Sequence, residues 1–197
     1  MINMVNDEID LLYKVAESMV CMKKFIYGAE LYRRLISMEI EKSKIWLAGT
    51  WHGYANCLEK IGDIEGSRQA YEKALDYHII DIISDENKNK AHAYLWGGWA
   101  ALKLEKTKMA YLMFKNSVKE DPNYAYSWLS LSVACTKLKL LGEAKNAREN
   151  YSKYLKIHPY RKRECEGRSM LIDAYDQSSG WLKEYIEKII PETECEE

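Results

Sequence analysis

Tyr94 and Trp128 stand 34 residues apart, and so do Ala110 and Ala144. A fixed interval of that size constrains a fold more than any local pattern. Each period is one supersecondary unit, too small to bury its own apolar face, so successive units must stack. Within a period the spacing is helical. Trp51, Tyr54, Ala55 and Leu58 follow one another by three, one and three residues and share one helix face. Gly62-Asp63 then reads as a turn: Gly62 suits a left-handed exit and Asp63 the cap of the next helix. Ser67, Tyr71 and Ala74, four and three apart, form one face of that second helix. The unit is an antiparallel helix pair whose aromatic and small residues interlock.

Further copies follow the same order. Tyr94, Gly98, Ala110, Phe114, Ser117 and Pro122 repeat it, and Trp128, Leu131, Ser132, Cys135 and Ala144 repeat it again. Upstream, Tyr13, Ala16, Val20 and Ala29 form a weaker first copy. The chain resembles the tetratricopeptide repeat family over residues 10–158. The copy at 48–81 carries Trp51, Ala55, Gly62, Asp63, Tyr71 and Ala74-Leu75; the copy at 91–124 carries Gly98, Ala110, Phe114 and Asp121-Pro122-Asn123. The copy at 125–158 carries Trp128, Leu131, Ser132 and Glu143-Ala144 but has Arg148 where an aromatic is usual. The copy at 10–43 keeps Ala29 and has Glu17 where a small residue is expected. The resemblance implies an all-α, right-handed superhelical solenoid of about four antiparallel helix pairs. Composition agrees. Only 3 Pro and 10 Gly leave little material for the tight turns of a sandwich or barrel.

The phase is not uniform. Trp51 and Tyr94 are 43 residues apart. The segment from Leu75 to Asn89 has neither Pro nor Gly, so the excess is expected to be helical. The second helix of that repeat should run to Ile83, with Ser84-Asp85 capping a lengthened successor. After Pro159 the pattern changes. Tyr160 to Arg163 opens a polar helix, Gln177 to Gly180 is a turn, and Trp181, Tyr185, Ile186 and Ile189 share the face of a last helix ended by Pro191. A solenoid leaves its final apolar face open, so residues 160–190 are expected to cap the fourth repeat. Residues 1–191 then form one domain, and the acidic tail 192–197 is expected to be disordered.

Several function classes are excluded or weakened. There is no apolar run of 18 residues, and residues 1–10 carry Asp7, Glu8 and Asp10 without a basic region, against a membrane span or leader. The five cysteines are odd in number and show no CxxC pair, which fits a reducing cytoplasm. Cys21, Cys57 and Cys135 read as small apolar core residues. No phosphate loop, HExxH or GxSxG motif occurs, and His52, His78, His92 and His158 are spread over three repeats. The chain is therefore read as no enzyme, with no cofactor and no metal site. Net charge is −1, although residues 103–168 hold 15 Lys and Arg against 7 Asp and Glu. Arg161, Lys162, Arg163 and Arg168 near Tyr160 are the one hint of nucleic acid, interrupted by Glu164 and Glu166.

Binding remains. In stacked helix pairs the first helices line the inner wall, and residues not committed to the core face it. That leaves His52 and Asn56 in the second copy, His92, Leu95, Trp96 and Trp99 in the third, and Tyr126, Leu129 and Val133 in the fourth. A purely solvated wall would carry Glu, Lys and Gln. This one carries aromatic and apolar residues, which mark binding surfaces. Gly97, where a larger apolar residue is usual, lets a helix or a ligand approach the backbone. The two-carboxylate clamp of the family is not matched, since Lys14 fits but Ser18, Gly53, His92 and Trp96 do not. The expected partner is a protein or peptide segment with apolar or aromatic anchors, held on this concave face. The alternatives are a self-associating scaffold and packing of Trp96 and Trp99 beneath the helix at 64–83 or the C-terminal cap.

Overall fold

The computed structural model describes residues 2–39, 47–84, 87, 89–156, 170 and 172–189. The labelled elements are α1 (Ile2–Cys21), α2 (Phe25–Glu39), α3 (Leu47–Ile61), α4 (Ile64–Ile83), α5 (Lys90–Lys103), α6 (Thr107–Glu120), α7 (Ala125–Lys137), α8 (Leu141–Leu155) and α9 (Gly180–Ile189). A short helical stretch at 172–177 precedes α9, and no strand occurs among the described residues. The helices divide into two compact units, Met1–Ser67 with Lys162–Glu197, and Arg68–Arg161. Within the first, α1 packs on α2 and α2 on α3; within the second, α5 packs on α6, α6 on α7 and α7 on α8. This is the consecutive helix-pair architecture expected from the period.

The turn inside each pair is one device built four times. Lys23, Gly62, Glu105 and Lys139 all have positive φ, at 61°, 91°, 61° and 61°. In each case the next amide donates to a carbonyl five residues back. Lys24 reaches Met19, Asp63 reaches Leu58, Lys106 reaches Ala101 and Leu140 reaches Cys135, at 2.8–2.9 Å. These are Schellman closures, which satisfy the last carbonyls of the first helix. Gly62 was legible as such a turn; the other three positions hold side chains that resist this conformation. Asp63 caps α4 as expected, its Oδ1 accepting from Gly66 N at 2.9 Å.

Large rings seat against small residues where helices cross. A Cβ on Gly53 would collide with the ring of Tyr32, and one on Gly98 would sit 2.5 Å from Phe114. Both rings are fully buried. The Tyr32 hydroxyl donates to Glu17 Oε1, which accounts for a glutamate where the repeat calls for a small residue. In the second unit the buried Ser117 hydroxyl donates to Ala91 O at 2.7 Å and lies 2.7 Å from Ser127 Oγ, pinning α6 to both neighbours. Trp51 and Tyr54, expected in the core, are half-buried and meet edge to face at 6.2 Å.

Two expectations about the irregular segments differ in outcome. The helix at 64–83 ends at Ile83 as read. Its successor starts at Lys90 and is capped by Asn89, whose side chain accepts from His92 N, rather than by Ser84; Asp85 lies outside the described residues. Asn89 is the better cap because its short amide reaches the third amide of the helix. The C-terminal helix is placed differently from the reading. Leu182 and Ile186 of α9 and Ala174 join Ile9, Leu12, Val15, Leu31 and Leu35 in the core of the first unit, so α9 covers α1 and α2. The outer stripe of α8, expected to need the cap, is Lys145, Arg148, Glu149, Ser152 and Lys153, which with the following Lys156 surround an open groove. Such a stripe is stable in water without a lid. The segments at 160–163 and 192–197, and Cys165 and Cys195, lie outside the described residues.

Candidate functional site

α5 and α7 are the first helices of consecutive pairs and approach each other locally. Ala93, Gly97, Ala100 and Ala101 of α5, and Ser127, Ser130, Leu131 and Ala134 of α7, are buried. Trp96 and Tyr126 are half-buried, and their rings face each other at 6.3 Å with a 39° tilt. One turn before Trp96, exposed His92 accepts the indole N–H on Nε2 at 2.7 Å, its ring edge-on at 5.8 Å. Loss of solvent around its ring lowers the pKa of His92, so the imidazole favours the neutral form that this bond requires. Sequence and fold together thus bring His92, Trp96 and Tyr126 into one aromatic cluster.

The other named residues are placed as follows. Leu95 is fully buried and belongs to the core of the second unit, not to an open wall. The reading erred there because α5 is apolar nearly all round, and spacing alone does not say which apolar side is covered. Trp99 is half-buried and committed to packing: Nε1 donates to Ser130 Oγ at 3.0 Å and the ring meets Phe114 edge-on at 5.7 Å. Leu129 and Val133 are half-buried on α7. His52 and Asn56, on α3 of the first unit, are half-buried as well. Gly97 is explained by a helix, not an opening: its added Cβ would lie 3.1 Å from His78 Cβ of α4 and 3.4 Å from Met113 Sδ. Sequence reasoning missed Ser130 as the partner of Trp99. Its interval of 31 residues, three short of the repeat, was the available signal.

Two of the described thiols, Cys57 and Cys135, are held in the protonated form. Cys57 is buried, and desolvation pushes it up to about 12, with the charge of Glu17 adding to the effect. Burial also raises Cys135. Thiols so placed stay protonated near neutrality and are poor nucleophiles. Cys57 and Cys135 are free thiols, and Cys21 is half-buried rather than fully buried. Among the described residues no group of three His, Cys, Asp or Glu is placed to hold a metal ion, and no helix is long and apolar enough to cross a membrane.

These features define a helical-repeat protein built on paired antiparallel helices. Residues 48–77 match the tetratricopeptide repeat family, and the fold is that of tetratricopeptide-like repeats. No curated protein sequence matches the chain. Among solved structures it is similar to the nearly identical TPR-like repeats of a Podosopora anserina protein. That match has 13% identity and a TM-score of 0.58, covering 95% of this chain and 97% of the other. It is also similar to YrrB, a TPR protein with an unusual peptide-binding site, at 16% identity, a TM-score of 0.47 and 88% coverage of each chain. MamA aligns at 16% identity and a TM-score of 0.45, over 90% of this chain and 91% of the other.

Proposed function

We propose that the chain is a non-enzymatic protein-interaction module that takes a partner segment with apolar or aromatic anchors on the wall shared by α5 and α7. One observation carries the reading: Trp96 and Tyr126 lie ring to ring and partly open to solvent on consecutive first helices, where the helix contacts are already filled by Ala, Gly and Ser. An indole held by His92 gives up little side-chain freedom on binding, and Trp and Tyr contribute large contact area at low entropic cost. Leu129 and Val133 of α7 extend the same apolar chemistry. Free thiols suit a reducing, cytoplasmic setting.

The test uses peptides selected from a random display library on the wild-type chain. Trp96→Ala should weaken the best binder at least about tenfold, roughly 1.4 kcal/mol, with a melting temperature close to wild type. Trp99→Ala should behave oppositely, costing about 2–4 kcal/mol of stability because its ring supports Phe114. Unchanged peptide affinity in Trp96→Ala would sink the reading. A concentration-dependent dimer in sedimentation that peptide cannot dissociate would favour a self-associating scaffold instead.

A further inference from the structure

The face of α1 and α2 beneath α9 is built like a recognition site. α9 buries only two of the side chains described on it, Leu182 and Ile186, at the first and fifth positions after Trp181. Trp181 itself stays half-buried and is read by two charged groups from different helices. Its indole N–H donates to Glu8 Oε1 of α1 at 2.6 Å, and the Arg34 guanidinium of α2 lies 3.2 Å from its ring centroid. A hydrogen bond and a cation–π contact at the rim of an apolar pair give specificity to a docked helix.

The docked element is also held together by its own contacts. Tyr175 Oη donates to Glu187 Oε1 at 2.8 Å, Lys183 Nζ sits 4.6 Å from the Tyr175 ring, and Ser178 Oγ donates to Tyr175 O at 2.9 Å. The stretch at 172–177 and α9 therefore form one hairpin. What it would uncover is apolar: Ile9, Leu12, Leu31 and Leu35 share its cluster. An uncovered surface of that kind requires another occupant.

We propose that the α1–α2 face is a second partner site, distinct from the α5–α7 wall. It accepts an amphipathic helix carrying Trp in its first turn and apolar residues one and five positions later, and α9 is its resident, displaceable occupant. The partner competes with α9 for Glu8 and Arg34. An indole is preferred over a phenyl ring because only the indole donates to the Glu8 carboxylate.

The probe is a fluorescent peptide of residues 172–190 added to the full-length chain. Trp181→Ala in the chain weakens the resident helix, so its site is free for a larger fraction of the time and the peptide should bind at least about tenfold more tightly than to wild type. Adding Arg34→Ala to that chain, or Trp181→Phe to the peptide, should reverse the gain. Equal binding to all chains, or none to a folded Trp181→Ala chain, overturns the proposal. If Trp181→Ala does not fold, hydrogen exchange of the wild-type chain decides. Amides of α9 should exchange at least tenfold faster than those of α1 between Ile9 and Met19, whereas equal protection makes α9 an integral part of the core and removes the site.

Discussion

Each unit seats a large ring against a helix glycine, and the two rings differ by one hydroxyl. In the second unit Phe114 lies against Gly98, with Trp99 edge-on beside it and no polar atom to satisfy. In the first unit Tyr32 lies against Gly53 and must place its hydroxyl, which it does by donating to Glu17. Desolvation, and then the Glu17 charge, hold the Tyr32 phenol well above its ordinary value, so the donor is never lost near neutral pH. The same contrast holds outside. The apolar side of α1 and α2 is covered by α9, whereas α8 ends its unit with a charged stripe and needs no cover. One packing scheme therefore tolerates a polar inside with a lid, or an apolar inside with a charged rim.

Truncating the two rings gives the largest expected effect. Phe114→Ala should cost about 3–5 kcal/mol in urea unfolding, and Tyr32→Ala at least as much, since Glu17 also loses its donor. A loss below about 2 kcal/mol at either position would mean that the glycine pocket collapses freely and that the shared scheme is not what holds the helices. Exchanging the hydroxyls is the finer test. Tyr32→Phe should cost about 1–3 kcal/mol. Phe114→Tyr should also destabilise, because it introduces a hydroxyl where the first unit alone supplies an acceptor. If Tyr32→Phe proves neutral, Glu17 is not compensating anything.

Carboxylates sharpen the comparison further. Glu17 has a phenolic donor, but Asp81 near the end of α4 is raised from 3.8 to about 6 by burial alone. A group whose folded pKa lies above its unfolded value favours folding fully below the unfolded value. That contribution is lost as pH rises through the folded one. Stability should therefore fall between about pH 4 and pH 6. Asp81→Asn should remove that slope and stabilise the chain by roughly 1–2 kcal/mol at pH 8, the partial exposure of the site screening a larger shift. Equal pH profiles for wild type and variant would remove Asp81 from the account.

The helix pairs were legible because their signal is periodic: Gly98 with Phe114 and Ala110, and Gly62-Asp63 with Tyr71, each state a spacing and a size. The aromatic face was partly legible. His92, Trp96 and Tyr126 come together, but Leu95 and Trp99 do not stay open, because a helix that is apolar on most sides does not reveal which side a neighbour covers. The placement of α9 was not legible at all. Its apolar stripe states that it must dock, and nothing in the stripe says where. The polarity of α8, read together with the apolar length of α1, would have pointed to the first unit.

The interhelix turns give the smallest expected effect and the most direct contrast between a position that obeys its sequence rule and three that break it. Gly62, Lys23, Glu105 and Lys139 occupy equivalent left-handed positions closed by equivalent bonds. An added Cβ at Gly62 meets nothing within 4 Å, so any penalty for Gly62→Ala is backbone strain, about 1 kcal/mol. Conversely, Glu105→Gly and Lys139→Gly relieve that strain but loosen the unfolded chain, leaving a gain of about 0.5–1 kcal/mol each. Because the two sites lie in different turns, the double variant should gain the sum. Thermal unfolding of the four chains would check this, and a neutral Gly62→Ala would show that the closing bonds, rather than the residue in the left-handed region, determine the turn.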